Sequence, residues 1–190
     1  MAGKSEWELR DISIVLLLLL ASFLIFYIAF LQPASCPGCN AKVAFLFSPE
    51  AEGDVVSFIR SARESIDIEM YVFTSEDVAR ELSEAVKRGV RVRVIMEPRV
   101  EDSRKQRMFA ILSALDVEVR WASFEYKLTH SKFIIADGKR ALVGSINFSE
   151  SALNYNRETA VEVEGESVRE LADVFDEDWE KTSATKTFSR

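Results

Sequence analysis

Histidine is nearly missing from these 190 residues. His130 is the only one, against 31 acidic and 24 basic side chains. One imidazole cannot build a metal centre from clustered histidines, and no His/carboxylate group with ligand spacing replaces it. Cysteine is almost as scarce. Cys36 and Cys39 form a single Cys-Pro-Gly-Cys pair, two of the four ligands that a structural zinc site needs. That pair is read as half of a zinc site shared with a second chain, as a local disulfide, or as two free thiols. The seven glycines are scattered, so no glycine-rich phosphate loop exists, and no tandem repeat is evident. No cofactor is expected.

Charge is absent from Ile12 to Leu31, a run of "ISIVLLLLLASFLIFYIAFL". Its length matches a hydrocarbon core of about 30 Å, and it exceeds the apolar region of ~7–15 residues in a cleaved secretory signal. The expectation is a short N-terminal tail (1–11), a transmembrane helix (12–31), a linker holding the cysteines (32–41) and one domain over 42–190. Lys4 and Arg10 precede the run and only Lys42 follows closely, so the positive-inside rule puts the domain on the outer face of a single-pass membrane protein.

Past the linker, strand and helix patterns alternate. Strands are expected at 42–48, 65–74, 90–98, 117–123 and 158–165, with two more around "HSKFIIAD" and "RALVGS" joined by a turn at Asp137-Gly138. Helices are expected at Asp54–Glu64, from a Ser75 cap to Arg88 with Gly89 behind it, at Glu101–Leu115 and at Ser167–Lys181. This order predicts an α/β domain, a mixed β-sheet flanked by helices, preceded by one transmembrane helix.

The net charge of −7 conceals segregation. Residues 87–107 carry eight basic side chains and three acids; residues 150–180 carry eleven acids and two arginines. A basic region can approach a polyanion. Arg104, Lys105 and Arg107, beside Met108 and Phe109, are its expected backbone contacts.

The chemistry is expected in "THSKFIIADGKRALVGSINFS", residues 129–149. On a strand, His130 and Lys132 share a face while Asp137 points away. Ser145 and Asn147 share a face on the next strand. If the two strands pair, imidazole, ammonium, hydroxyl and carboxamide converge, a set that suits a phosphate. The joint spacing, His130-x-Lys132, Asp137, then Gly144-Ser145-x-Asn147, with Asn156-x-Glu158 downstream, resembles the HKD signature of the phospholipase D superfamily. The likeness runs over nearly all of 42–180, and the single motif is similar to the small Nuc-type and Zucchini-type nucleases.

What the resemblance implies is a phosphohistidine on His130, phosphoryl oxygens held by Lys132 and Asn147, and Ser145 positioning the group. Glu158 is expected to hydrogen-bond His130, with Asp137 and Gly144 structural. Family chemistry uses two histidines, nucleophile and acid–base partner. A chain with one must borrow the second from another copy, so a homodimer is expected. The leading reading is a membrane-anchored, metal-independent endonuclease. The alternatives are a phospholipase acting on membrane lipid, including cardiolipin-like lipid, and an idle membrane-tethered nucleic-acid-binding module.

Overall fold

A computed structural model describes residues 3–27, 41–99 and 103–182. The chain forms two compact units, residues 1–36 and 37–190.

The first unit holds helix α1 (Gly3–Phe26). Here the expectation of a membrane span is corrected: among the described residues, no helix is long and apolar enough to cross a membrane. The helix begins well upstream of the apolar run, so the charged stretch before Ile12 shares its length with the apolar residues. Residues 28–31 of the expected span lie outside the described residues. The single-pass localisation and the outward placement of the domain fall with the span. Cys36 and Cys39 also lie outside the described residues.

The second unit is built on seven strands: β1 (Lys42–Phe47), β2 (Ser65–Met70), β3 (Arg91–Met96), β4 (Glu118–Trp121), β5 (Lys132–Ala136), β6 (Arg140–Gly144) and β7 (Thr159–Glu164). They form one sheet in the order β1-β7-β6-β5-β2-β3-β4. β2, β3 and β4 are parallel, and β1, β7, β6, β5 and β2 pair antiparallel. Parallel neighbours require crossover helices, and α3 (Glu76–Lys87) and α4 (Ser103–Ala114) supply them. The remaining helices are α2 (Glu52–Ser61), α5 (Glu150–Asn154) and α6 (Val168–Glu180). The mixed sheet flanked by helices is as the sequence indicates; the preceding transmembrane helix is not.

Local chemistry explains the boundaries. The Ser75 hydroxyl accepts from the Val78 N–H at 3.2 Å and caps α3, whose first turn carries Glu76 and Asp77. Gly89, with φ +87°, closes the helix in a conformation open to glycine. Alternation then sorts the sheet faces. Ile66, Ile68, Met70, Val92, Val94, Ile134 and Leu142 pack under α2, α3 and α4. Ile95, Phe133, Ile135 and Ala141 pack under α6, against Phe175 and Trp179.

Helix α6 covers only part of its face. Beyond it, Phe45, Val161 and Val143 lie in register across β1, β7 and β6, with Val43 and Phe47 beside them. Phe45 is 66% exposed, and Val43, Phe47 and Val143 are exposed too. The edge of the sheet therefore shows solvent a row of apolar side chains.

Candidate active site

The site gathers at one end of β2, β5 and β6. β5 and β6 pair as a hairpin, Phe133 opposite Val143 and Ala136 opposite Arg140, so His130 just before β5 and Ser145 just after β6 lie at the same end. His130 precedes the strand rather than sitting in it. Its position comes from neighbours instead. Tyr71 donates its N–H to the Ser131 carbonyl at 3.1 Å, and its ring packs on the imidazole with centroids 4.3 Å apart. One residue on, the Val72 N–H donates to Asn147 Oδ1 at 3.1 Å. Thr74 and Ser75 N–H groups both donate to the Phe148 carbonyl. The segment after β2 thus joins the histidine to the asparagine.

Lys132 is the cation beside the histidine. Its Nζ donates to the His130 carbonyl at 2.7 Å and lies 3.3 Å from Nδ1 and 3.4 Å from Nε2. It also stands 4.9 Å above the Tyr71 ring. Burial pushes the Lys132 ammonium below its ordinary range, and the nearby Glu158 charge only partly offsets this.

Ser145 and Glu158 form a second pair. The Ser145 hydroxyl donates to Glu158 Oε2 and accepts from the Thr159 N–H. Asn156 Nδ2 donates to Glu158 Oε1 at 3.2 Å. The expected hydrogen bond between His130 and Glu158 is not formed among the described residues; the carboxylate accepts from Ser145 and Asn156 instead. Buried Ser48 fixes this segment: its hydroxyl donates to the Asn156 carbonyl at 2.7 Å and accepts from the Glu158 N–H at 2.9 Å.

Asp137 stands apart from the reacting end. Its carboxylate accepts the N–H groups of Arg63, Glu64 and Ser65 at 2.7–3.1 Å, tying the turn before β2 to the β5–β6 turn. Burial opposes its charge, but these three donors outweigh burial and hold the carboxyl below its usual range. Gly144 is a close approach. A Cβ there would stand 2.3 Å from the Thr159 carbonyl and 2.5 Å from the Ala160 Cα.

The basic region forms only part of the expected surface. Lys105 is 1% exposed, and its Nζ donates to the Glu97 carbonyl at 2.6 Å and lies 5.4 Å from the Tyr71 ring. It supports the site from behind instead of meeting solvent. Arg107 is exposed and 3.8 Å from Glu76. Arg93 is committed to Asp67 and Asp176, and Arg88 to Glu81. Arg104 lines a groove of about 430 Å³ that includes Asn147.

Sequence reasoning missed Tyr71, Ser48 and above all Glu97. Fully buried Glu97 accepts from the Thr129 N–H at 2.8 Å, one residue before His130. It also accepts from Arg99 Nε at 2.6 Å, while Arg99 binds the Ser123 and Tyr126 carbonyls. This pair clamps the loop that delivers the histidine. The signal was available: a carboxylate just beyond the last residue of a buried strand, where sites of parallel sheets gather. Among the described residues no group of three or more His, Cys, Asp or Glu side chains could hold a metal ion.

A mixed sheet flanked by helices, with His130 and Lys132 at the same strand ends as Ser145 and Asn147, defines an α/β protein whose polar cluster suits phosphoryl chemistry. The chain belongs to the phospholipase D superfamily: residues 55–179 match the family model described as cardiolipin synthase, PLD-like domain. Mitochondrial cardiolipin hydrolase of Mus musculus is 29% identical over 158 residues, covering 81% of this chain and 67% of that protein. The enzyme of the same name from Canis lupus familiaris is 30% identical, over 78% of this chain and 58% of its own length. A phospholipase D of Rickettsia prowazekii is 28% identical, over 74% and 67%. Among solved structures, the phospholipase D family member Nuc from Salmonella typhimurium aligns with a TM-score of 0.72 at 26% identity, over 78% of this chain and 100% of Nuc. NucT from Helicobacter pylori shares the fold, with a TM-score of 0.65 at 24% identity.

Proposed function

We propose that the chain is a metal-independent endonuclease that cleaves nucleic-acid phosphodiester bonds through a phosphohistidine. The carrying observation is the His130–Lys132–Asn147 grouping, held together by Tyr71 and Val72. A neutral His130 nitrogen attacks phosphorus and forms the P–N bond as the P–O bond to the leaving strand breaks. Lys132 and the Asn147 NH₂ group hold the non-bridging oxygens where negative charge grows. Ser145, fixed by Glu158, positions the phosphoryl group. Water then attacks phosphorus, the P–N bond breaks and His130 is regenerated.

The leaving oxygen needs a proton, and the attacking water must lose one. His130 is the only imidazole of the chain and is already used. The partner subunit's His130 supplies both transfers in a homodimer. The uncovered apolar row of Val43, Phe45, Phe47 and Val143 supports a second copy, because a face of this kind is commonly buried between subunits.

Nucleic acid is favoured over lipid by the groove at Asn147, where the Tyr155 ring and Arg104 stand beside the hydrogen-bonding side chains of Thr74, Ser149 and Asn156. Full-length coverage of Nuc also supports a small single-motif enzyme. Phospholipid hydrolysis is the second reading, favoured by the cardiolipin hydrolase relatives. The test is a panel in EDTA: single-stranded DNA, duplex DNA, RNA and cardiolipin-containing vesicles. Cleavage of nucleic acid alone is expected. Cleavage of lipid alone would replace this reading with the second, and a folded protein idle on all four would leave only a binding module.

A further inference from the structure

The groove beside Asn147 has a shape and lining that the reacting phosphate does not use up. It holds about 430 Å³, in the range of small-molecule sites, and runs from Val72, Thr74 and Asn147 past Ser149 to Arg104 and Tyr155. Tyr155 directly follows α5, and its N–H donates to the Ser151 carbonyl at 3.1 Å, so its backbone is fixed. Yet the residue is 72% exposed. An aromatic ring anchored at its base and left open on a groove wall is a stacking platform.

The charges narrow the occupant. Arg104 gives the groove one cation, but Glu150 also lines it. A bare phosphate or a compact anionic headgroup would meet that carboxylate and leave the apolar wall of Val72, Ala152 and the Tyr155 ring uncovered. A flat, hydrogen-bonding group attached to a single charge fits all of the lining.

We propose that this groove is a nucleoside subsite adjoining the scissile phosphate, with an unpaired base stacked on Tyr155 and Arg104 facing the next phosphate along the strand. The inference rests on the nucleic-acid reading and adds to it: a base lying on Tyr155 has left its duplex, so the enzyme selects single strands.

The test uses the full chain and a single-stranded oligonucleotide with one cleavage site. Abasic nucleotides are placed in turn at the two positions flanking the cleaved bond. Tyr155→Ala lowers kcat/KM about 5- to 150-fold, the equivalent of losing one base–aromatic stack. Tyr155→Phe keeps the wild-type value. With the wild-type enzyme, an abasic substitution at one of the two positions gives a loss of similar size. Combining it with Tyr155→Ala adds nothing further.

Single-strand turnover by the wild type that is indifferent to both abasic positions overturns the subsite and leaves the nuclease reading intact. So does a Tyr155→Ala enzyme with unchanged kcat/KM, or losses that multiply. Equal cleavage of duplex and single strand also overturns it. Lipid turnover with no oligonucleotide turnover overturns both readings together. The abasic arms use only wild-type protein, so a misfolded variant does not blunt the test.

Discussion

At the residue scale, the site depends on side chains that hold others in place. His130→Ala removes the proposed nucleophile from an exposed position, so turnover should vanish while the thermal melt stays within about 1 °C of wild type. Retained turnover would refute the assignment. Glu97 acts one step back, through Thr129 and Arg99. Glu97→Ala leaves the Arg99 guanidinium without its buried carboxylate, a loss of about 3–5 kcal/mol in stability. Glu97→Gln retains the shape and should lower kcat with little change in KM, since the loop that carries His130 loosens while the oxygen-binding Lys132 and Asn147 stay. Equal kcat for Glu97→Gln and wild type would show that the clamp is dispensable.

Asp137 gives a pH signature of the depressed kind. Its carboxyl sits below the ordinary range when folded, so its contribution is complete above that range and is lost as pH falls through the depressed value. Asp137→Ala strands three N–H donors and should cost about 2–3 kcal/mol at pH 7, measured by urea denaturation, with a smaller difference at pH 3.

At the element scale, the two faces of β2 account for most of what the sequence shows and hides. Ile66, Ile68 and Met70 alternate as a half-buried strand should, and they do pack under the helices. The intervening Asp67 and Glu69 look like a solvent face by the same rule, yet both are buried because α6 lies over them. Asp67 is answered by Arg93. Glu69 has a buried oxygen, Oε2, with no partner, and lies near Asp178 of α6. Burial pushes its carboxyl up to about 7; the bond from Ser131 is the next largest effect and opposes this, and the Asp178 charge adds a smaller upward push.

The native state therefore holds a proton that the unfolded chain gives up near the ordinary carboxylate pKa. Stability falls as pH rises through the window from that value to about 7, by up to about 3 kcal/mol, and is flat beyond it. Glu69→Gln should remove this slope and raise the melting temperature at pH 8. A wild-type melt independent of pH from 5 to 8 would contradict the assignment.

Period and caps revealed the strands, α3, α4 and α6, because those signals are local. Helix α5 was not expected, although Ser149 accepts the Ala152 N–H as a cap; five residues are too few to show a period. His130 was placed within a strand for the opposite reason: alternation continued on paper past the point where the Glu97 clamp takes over.

For the whole molecule, the spacing of one motif foretold where its residues gather, because hairpin pairing is dictated by the Asp137-Gly138 turn. It could not foretell the fate of the basic run, since ion pairs such as Arg93 with Asp176 join residues far apart in sequence. Nor did a long apolar run prove to be a described spanning helix. The assembly prediction belongs to this scale. Sedimentation should show a dimer at assay concentrations, and Phe45→Arg, on the exposed row beyond α6, should shift it toward monomer with loss of turnover. A fully active monomer would contradict the shared site.

The most direct measurement is peptide mass spectrometry of the enzyme quenched during turnover of an oligonucleotide in EDTA. The expected result is a phosphoramidate adduct of one cleaved strand on the peptide containing His130, retained in alkali and lost on treatment with acid. Turnover with the adduct on another residue, or cleavage that disappears with EDTA, would contradict the phosphohistidine mechanism.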